Sequence, residues 1–160
     1  MIRITSSTVA CFLLTLQVAL AQPAAPDAPP ADQEELDKKF AELMSGATLA
    51  GRFTTRDQTG EHPLKEDRYT LGKVHKLENG LWSFETRIQY GDHDVKLPLA
   101  LQVKWAGNTP VITLDNVLVP GLGTFTSRVL VYGDEYAGTW SGGDHGGHMF
   151  GKIIKAEKKP

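Results

Sequence analysis

The chain contains almost no cysteine. Its single Cys among 160 residues, Cys11, lies inside an apolar run at residues 9–20. We expect that run to be removed from the mature protein, which leaves the mature chain without a thiol. The sequence therefore argues against a disulfide framework, a cysteine nucleophile and a thiolate zinc site.

Long hydrophobic runs are also missing after this first one. The run at residues 9–20 follows Arg3 and ends in Ala19-Leu20-Ala21, and it is shorter than the roughly 20 residues that span a bilayer. This pattern predicts a secretory signal peptide over residues 1–21, with a retained membrane anchor as the alternative. We then expect a secreted or periplasmic protein, with no stable membrane insertion after signal cleavage.

Charge of either sign is not in excess. The chain has 17 Lys and Arg against 19 Asp and Glu, and residues 1–21 hold one Arg and no acid, which leaves 16 basic residues in the mature chain. A near-neutral chain without a basic run argues against nucleic acid and anionic lipid as partners. Residues 22–31, rich in Pro and Ala, predict an extended linker before the folded domain.

Motifs for catalysis are absent as well. The sequence holds neither Gly-x-Ser-x-Gly nor His-Glu-x-x-His, and it has no phosphate-loop or dinucleotide fingerprint. The serines of the mature chain show no paired base; they are Ser45, Ser83, Ser127 and Ser141. We therefore expect a protein that is not an enzyme and needs no cofactor.

The folded part begins with one amphipathic helix, predicted over residues 32–46. Asp32 is a good N-cap, and Glu35 three residues later matches a capping box. The apolar stripe at helical spacing consists of Leu36, Phe40, Leu43 and Met44. A helix this short needs a tertiary surface under its stripe, either one end of the following domain or its outer wall.

After Gly46, apolar residues recur at every second position instead of at helical spacing, which predicts a β domain over residues 47–157. Eight strands are expected, at about residues 47–56, 67–77, 81–90, 95–105, 111–118, 124–132, 135–141 and 147–157. Asn79-Gly80 predicts a type I′ turn and Gly133-Asp134 a type II′ turn. Short connections favour an antiparallel meander, which closes into a barrel or stacks as a sandwich.

We favour the barrel, because closure leaves no exposed sheet edge. The predicted fold class is all-β, an eight-stranded antiparallel up-and-down barrel preceded by one short N-terminal α-helix. Such a barrel has an interior that its side chains fill or that holds one small ligand.

Alternation within the strands assigns a bulky apolar inner face. The aromatic residues expected to line an interior pocket are Tyr69, Trp82, Phe84, Tyr90, Trp105 and Trp140. The alternative interpretation is that these side chains are simply the packed core. The pattern alone leaves both open.

A short motif adds a family resemblance. Gly138-Thr139-Trp140, in the seventh predicted strand, resembles the Gly-x-Trp signature of calycins, the lipocalin- and avidin-type barrels. In those families the Trp packs across one barrel end and the glycine makes room for it. Their motif lies in the first strand, and the arginine that usually closes over the Trp has no assigned counterpart here. The chain also resembles small secreted bacterial proteins of unknown function. The calycin resemblance implies a lipocalin-like barrel with a pocket for a small, mostly apolar molecule.

Histidines and aspartates concentrate at one end of the predicted barrel, because alternate loops of a meander share an end. The residues in question are His62, His93, His145, His148, Asp57, Asp92, Asp94 and Asp144. Imidazoles and carboxylates bind Zn, Cu or Fe, but the same residue types also populate tight turns for backbone reasons. We assign no metal ligand among them.

Three functions remain, in order of preference. The first is a secreted lipocalin-like barrel that binds a small, mostly apolar ligand. The second is an extracytoplasmic adapter or structural domain without a pocket. The third is a His/Asp metal site at one barrel rim. An interior cavity separates the first function from the second.

Overall fold

The computed structural model describes residues 32–156. The predicted signal peptide (1–21) and linker (22–31) lie outside the described residues, as do residues 157–160. Among the residues that the structure describes, no helix has the length and hydropathy needed to span a bilayer.

One helix, α1 (Gln33–Met44), precedes the sheet. Asp32 caps it, since its Oδ1 accepts a hydrogen bond from the backbone N–H of Glu34 at 3.1 Å. The predicted capping box is not formed: the Glu35 carboxylate pairs with Lys39 one turn later, at 2.7 Å. An i,i+4 ion pair on the exposed helix face competes with the return contact to the cap.

Ten strands follow. They are β1 (Ala47–Phe53), β2 (Arg56–Asp57), β3 (Gly60–Glu61), β4 (Lys65–Lys76), β5 (Trp82–Tyr90), β6 (His93–Ala106), β7 (Thr109–Val119), β8 (Gly123–Tyr132), β9 (Glu135–Gly142) and β10 (His145–Lys155). Eight of these strands, β1 and β4 to β10, pair in antiparallel succession, and β1 also pairs with β10, so that the sheet closes. The predicted eight-stranded up-and-down barrel with one preceding helix is confirmed.

The pair β2–β3 is a short ribbon inside the connection from β1 to β4, where the sequence predicts only a loop. It joins the barrel through the pairing of Arg56 with Gly146 of β10. Strands of two residues are too short to show an alternating pattern, so the sequence gives no sign of them.

The turn at Asn79-Gly80 differs from the predicted type I′. Only Gly80 has a positive φ, +78°, whereas type I′ needs positive φ at both central residues. The connection spans residues 77–81, and Leu77 bonds to both Gly80 and Leu81, at 3.0 and 2.7 Å. A longer loop removes the need for the two-residue turn. At the other predicted turn, Gly133 has the positive φ, +60°, that type II′ needs.

Helix α1 closes one end of the barrel. The Phe40 ring is 2% exposed and packs edge-on against Trp82 and Trp105, with centroids 4.9 and 6.1 Å apart. Met44 is completely buried one turn later. Lys155 of β10 donates hydrogen bonds to main-chain carbonyls at the C-terminal end of the helix. The apolar stripe therefore covers a barrel end rather than the outer wall.

Candidate functional site

The barrel encloses a cavity of about 380 Å³, which opens at the end opposite α1. Met44 forms its floor, and Thr55, Lys65 and His145 stand at its mouth. The aliphatic wall includes Leu49, Leu71, Leu99, Leu101, Ile112 and Val129. Ligand pockets commonly measure about 300–1,000 Å³, so the barrel is neither filled by its side chains nor pocketless.

Four of the six predicted pocket aromatics line this cavity: Tyr69, Phe84, Tyr90 and Trp140. The other two, Trp82 and Trp105, lie at the closed end, where they pack against Phe40 of α1. Strand alternation predicts the face on which a side chain lies, but not its level along the barrel. The inserted helix separates these two tryptophans from the cavity.

Aromatic rings form a band at the mouth. Phe53 contacts Tyr90 and Trp140, with ring centroids 5.9 Å apart in both pairs. The ring centroid of Phe125 lies 6.4 Å from that of Trp140, on the other side of the indole. The indole Nε1 of Trp140 donates a hydrogen bond to the carbonyl of Thr54 at 3.2 Å. The indole is thereby fixed at the opening with its polar atom satisfied.

The glycine beside Trp140 is Gly147, its partner on β10. A Cβ on Gly147 would lie 2.0 Å from the carbonyl oxygen of Thr54, which is the acceptor for the indole. A Cβ on Gly138, the glycine of the calycin-like motif, would instead meet the backbone of Arg128 on β8. The structure therefore has a Trp at one barrel end, with Gly147 rather than Gly138 as the glycine that permits this arrangement.

A buried carboxylate lies beside the cavity. Asp67 is 5% exposed and accepts hydrogen bonds from the hydroxyls of Tyr69, at 3.1 Å, and Tyr136, at 3.2 Å. Burial raises the pKa of Asp67 above its ordinary value. The pKa of both tyrosines is raised as well. Burial is the larger cause, and the negative charge of Asp67 is the second. Both tyrosines therefore remain protonated at neutral pH and donate their protons to Asp67.

Two glycines allow Tyr136 to reach Asp67. One row of paired residues crosses the sheet from Tyr136 through Gly151 and Gly51 to Asp67. A Cβ on Gly51 would lie 2.2 Å from the Tyr136 hydroxyl, and one on Gly151 would lie 2.8 Å from its ring. The tyrosine side chain thus lies across β10 and β1, in the space that two other side chains would need. Sequence reasoning missed Asp67 because this contact joins strands that are distant in the chain.

Four of the eight histidines and aspartates predicted at the rim form two separate pairs. His62 Nε2 lies 2.8 Å from Asp57 Oδ2 beside the β2–β3 ribbon. Hydrogen bonds from the hydroxyl and backbone N–H of Thr59, together with His62, lower the pKa of Asp57 to about 2. His145 Nδ1 lies 3.2 Å from Asp144.

The remaining rim residues have other partners or positions. Asp94 pairs with Arg87 at 2.5 Å, and His93 packs against the Tyr90 ring, with centroids 4.7 Å apart. His148 precedes the cavity-lining Met149 on β10 and therefore faces outwards. Within residues 32–156, no three His, Cys, Asp or Glu side chains are arranged to hold a metal ion.

Comparison with protein-family models, with curated proteins and with solved structures finds no match to this chain.

Proposed function

We propose that this protein is a secreted, lipocalin-like barrel that binds a small, mostly apolar molecule in its interior. The observation that carries the proposal is the cavity of about 380 Å³, closed by α1 at one end and open at the other. Aliphatic and aromatic side chains dominate its wall. Apolar surface removed from water contributes about 25 cal/mol per Å², so a ligand with an apolar body gains free energy along most of this wall.

The chemistry of the lining supports binding rather than catalysis. The cavity-lining residues of the described chain include no Asp or Glu. Asp67, which lies beside the cavity, accepts hydrogen bonds from Tyr69 and Tyr136, and both hydroxyls have a raised pKa, which opposes their use as nucleophiles. We therefore propose no catalytic step and no cofactor.

Native mass spectrometry of the mature protein, purified from its own host, tests the proposal without assuming the ligand. We expect a non-covalent adduct of small mass that denaturation releases. Leu99→Trp is expected to remove the adduct, because Leu99 is a partly buried residue of the cavity wall.

Ala100→Trp is the matched control. Residue 100 is the exposed neighbour of Leu99 on β6, so the same bulk is added outside the barrel and the adduct should remain. A wild-type protein without an adduct, or equal adducts on both variants, would contradict the proposal. Circular dichroism confirms that each variant is folded.

A further inference from the structure

Six hydroxyl-bearing residues line the cavity. Thr55 and Tyr90 lie at its mouth, and the other four lie below it: Tyr69, Thr86, Ser127 and Tyr136. Each of these four hydroxyls already donates its proton within the protein. Thr86 donates to the carbonyl of Phe84 at 3.3 Å, and Ser127 donates to the carbonyl of Thr139 at 2.8 Å. The two tyrosines donate to Asp67.

A hydroxyl group has one proton and two acceptor lone pairs. Because all four protons are used, these hydroxyls present only acceptors to the cavity. The indole N–H of Trp140 is also used, since it donates to the carbonyl of Thr54. Below its mouth, the cavity therefore offers acceptors to a ligand rather than donors.

The two tyrosines form the most concentrated acceptor site. Their hydroxyls meet at one carboxylate, to which each donates its proton, one to each oxygen. Asp67 itself is not among the lining residues. Tyr69 keeps part of its surface accessible, whereas Tyr136 is fully buried, so a ligand would meet Tyr69 before Tyr136.

The mouth of the cavity, in contrast, offers hydrogen-bond donors. Lys65 stands there with an exposed ammonium group, which carries three donors and no acceptor. Lys65 and Asp67 lie two residues apart on the inward face of β4, so the change from donors to acceptors occurs within one step of the strand.

We infer that the ligand carries a hydrogen-bond donor, a hydroxyl or an amine, and that this donor meets the hydroxyl oxygen of Tyr69 beside Asp67, where Tyr136 binds the same carboxylate. A carbonyl or carboxylate at that place would meet only lone pairs, and it would be buried without a partner. The inference depends on the proposed function, because it requires the cavity to be the ligand site.

Two compounds that differ by one methyl group test the inference. 4-Pentylphenol has one hydroxyl donor, and 4-pentylanisole is its methyl ether, which can only accept. Isothermal titration at neutral pH gives a Kd for each compound. The free energies of transfer from water to an apolar phase also differ between the two compounds. We therefore compare the ratio of the ether Kd to the phenol Kd between variants.

Asp67→Asn is the informative variant. The new amide group donates to one tyrosine oxygen and frees that tyrosine's proton to point into the cavity. One free donor then favours the ether, so the ratio should fall about tenfold relative to wild type.

Glu66→Gln is the matched control, because it makes the same chemical change on the next residue. The Glu66 side chain is 84% exposed and lies on the outer face of β4. The ratio should therefore equal that of wild type.

A third compound, 4-pentylbenzylamine, distinguishes the two kinds of donor. Tighter binding of the amine than of the phenol identifies a cationic donor, and the reverse order identifies a neutral hydroxyl. Either order supports the inference when at least one of the two donors binds more tightly than the ether. An ether that binds before both donors contradicts it.

A crystal structure of wild type with 4-pentylphenol gives a test that does not depend on the folding of Asp67→Asn. The ligand hydroxyl should lie about 3 Å from the hydroxyl oxygen of Tyr69. A hydroxyl beside Lys65 at the mouth, or an unchanged ratio in Asp67→Asn, would overturn the inference while the proposed function stands. If no compound binds saturably and native mass spectrometry shows no adduct, the proposed function itself is wrong.

Discussion

Asp67 is held in the barrel wall by two neutral hydroxyl donors. Burial of a carboxylate favours its protonated form, and the hydrogen bonds from Tyr69 and Tyr136 only partly offset this effect. The folded protein therefore binds a proton at Asp67 more tightly than the unfolded chain does. This difference links the stability of the barrel to pH.

The first prediction concerns this linkage. Above the ordinary pKa of Asp67, 3.8, the unfolded chain loses the proton first, so this residue makes the free energy of unfolding fall as pH rises towards the raised pKa. Asn does not titrate. In urea unfolding from pH 3.5 to 8, Asp67→Asn should therefore gain stability relative to wild type as pH rises. Glu66→Gln should show no such gain. Parallel curves for wild type and Asp67→Asn would contradict the prediction.

The second prediction concerns the glycines beneath Tyr136. Gly51→Ala places a methyl group 2.2 Å from the Tyr136 hydroxyl and 2.3 Å from the backbone carbonyl oxygen of Phe150, and overpacking of this kind costs about 1–3 kcal/mol. Part of this loss should be absent from a Tyr136→Leu background, because the clashing hydroxyl is gone. A double-mutant cycle measured by urea unfolding gives this coupling free energy. Additive effects would show that the two residues do not compete for space.

For single residues, the sequence predicts which face of the sheet a side chain lies on, but not which distant residues it contacts. Alternation correctly places Tyr69 and Phe84 on the inner surface. The contact between Tyr136 and Asp67 depends on register across four strands, which no single stretch of sequence contains. Glycines distant in the chain are what make it possible.

Among the secondary-structure elements, α1 closes one end of the barrel. Phe40 and Met44 cover the end of the barrel at which Trp82 and Trp105 lie. Without this cover, the tryptophans would face solvent and the cavity would be open at both ends. The helix is therefore part of the core of the domain.

The third prediction tests the role of α1. Phe40→Ala should lower the free energy of unfolding by about 3–5 kcal/mol, the usual cost of removing a buried phenylalanine ring. Phe150→Ala is the control, because Phe150 lies on the outer face of β10 and is 44% exposed. Its loss should be much smaller. Equal losses in urea unfolding would show that α1 is only loosely attached.

The position of the helix could be predicted from Asp32 and from the apolar spacing, since both are local signals. Its docking surface could not, because the barrel end exists only after β1 has paired with β10. The β2–β3 ribbon was missed for a similar reason: it is stabilised by pairing with Gly146 of β10 rather than by a pattern of its own.

For the whole molecule, turns and alternation were sufficient to predict eight barrel strands and their order. Whether the interior is filled or hollow was not predictable. Whether a cavity remains depends on the interior volume that the large side chains leave empty, which in turn depends on their positions along the barrel axis. Trp82 and Trp105 fill the closed end, while Tyr136 lies over Gly51 and Gly151 along the wall. The remaining space is the cavity of about 380 Å³.

Methyl-resolved NMR during titration with 4-pentylphenol tests most directly whether this interior is the binding site. The inward methyl groups of Leu49, Leu101 and Val129 line the cavity, whereas Leu130 and Ile154 are 42% and 50% exposed on the outer wall. We predict that the inward methyl signals shift to saturation and that the outward ones stay unchanged. Shifts confined to Leu130 and Ile154, or no saturable shift at any of the five residues, would contradict it.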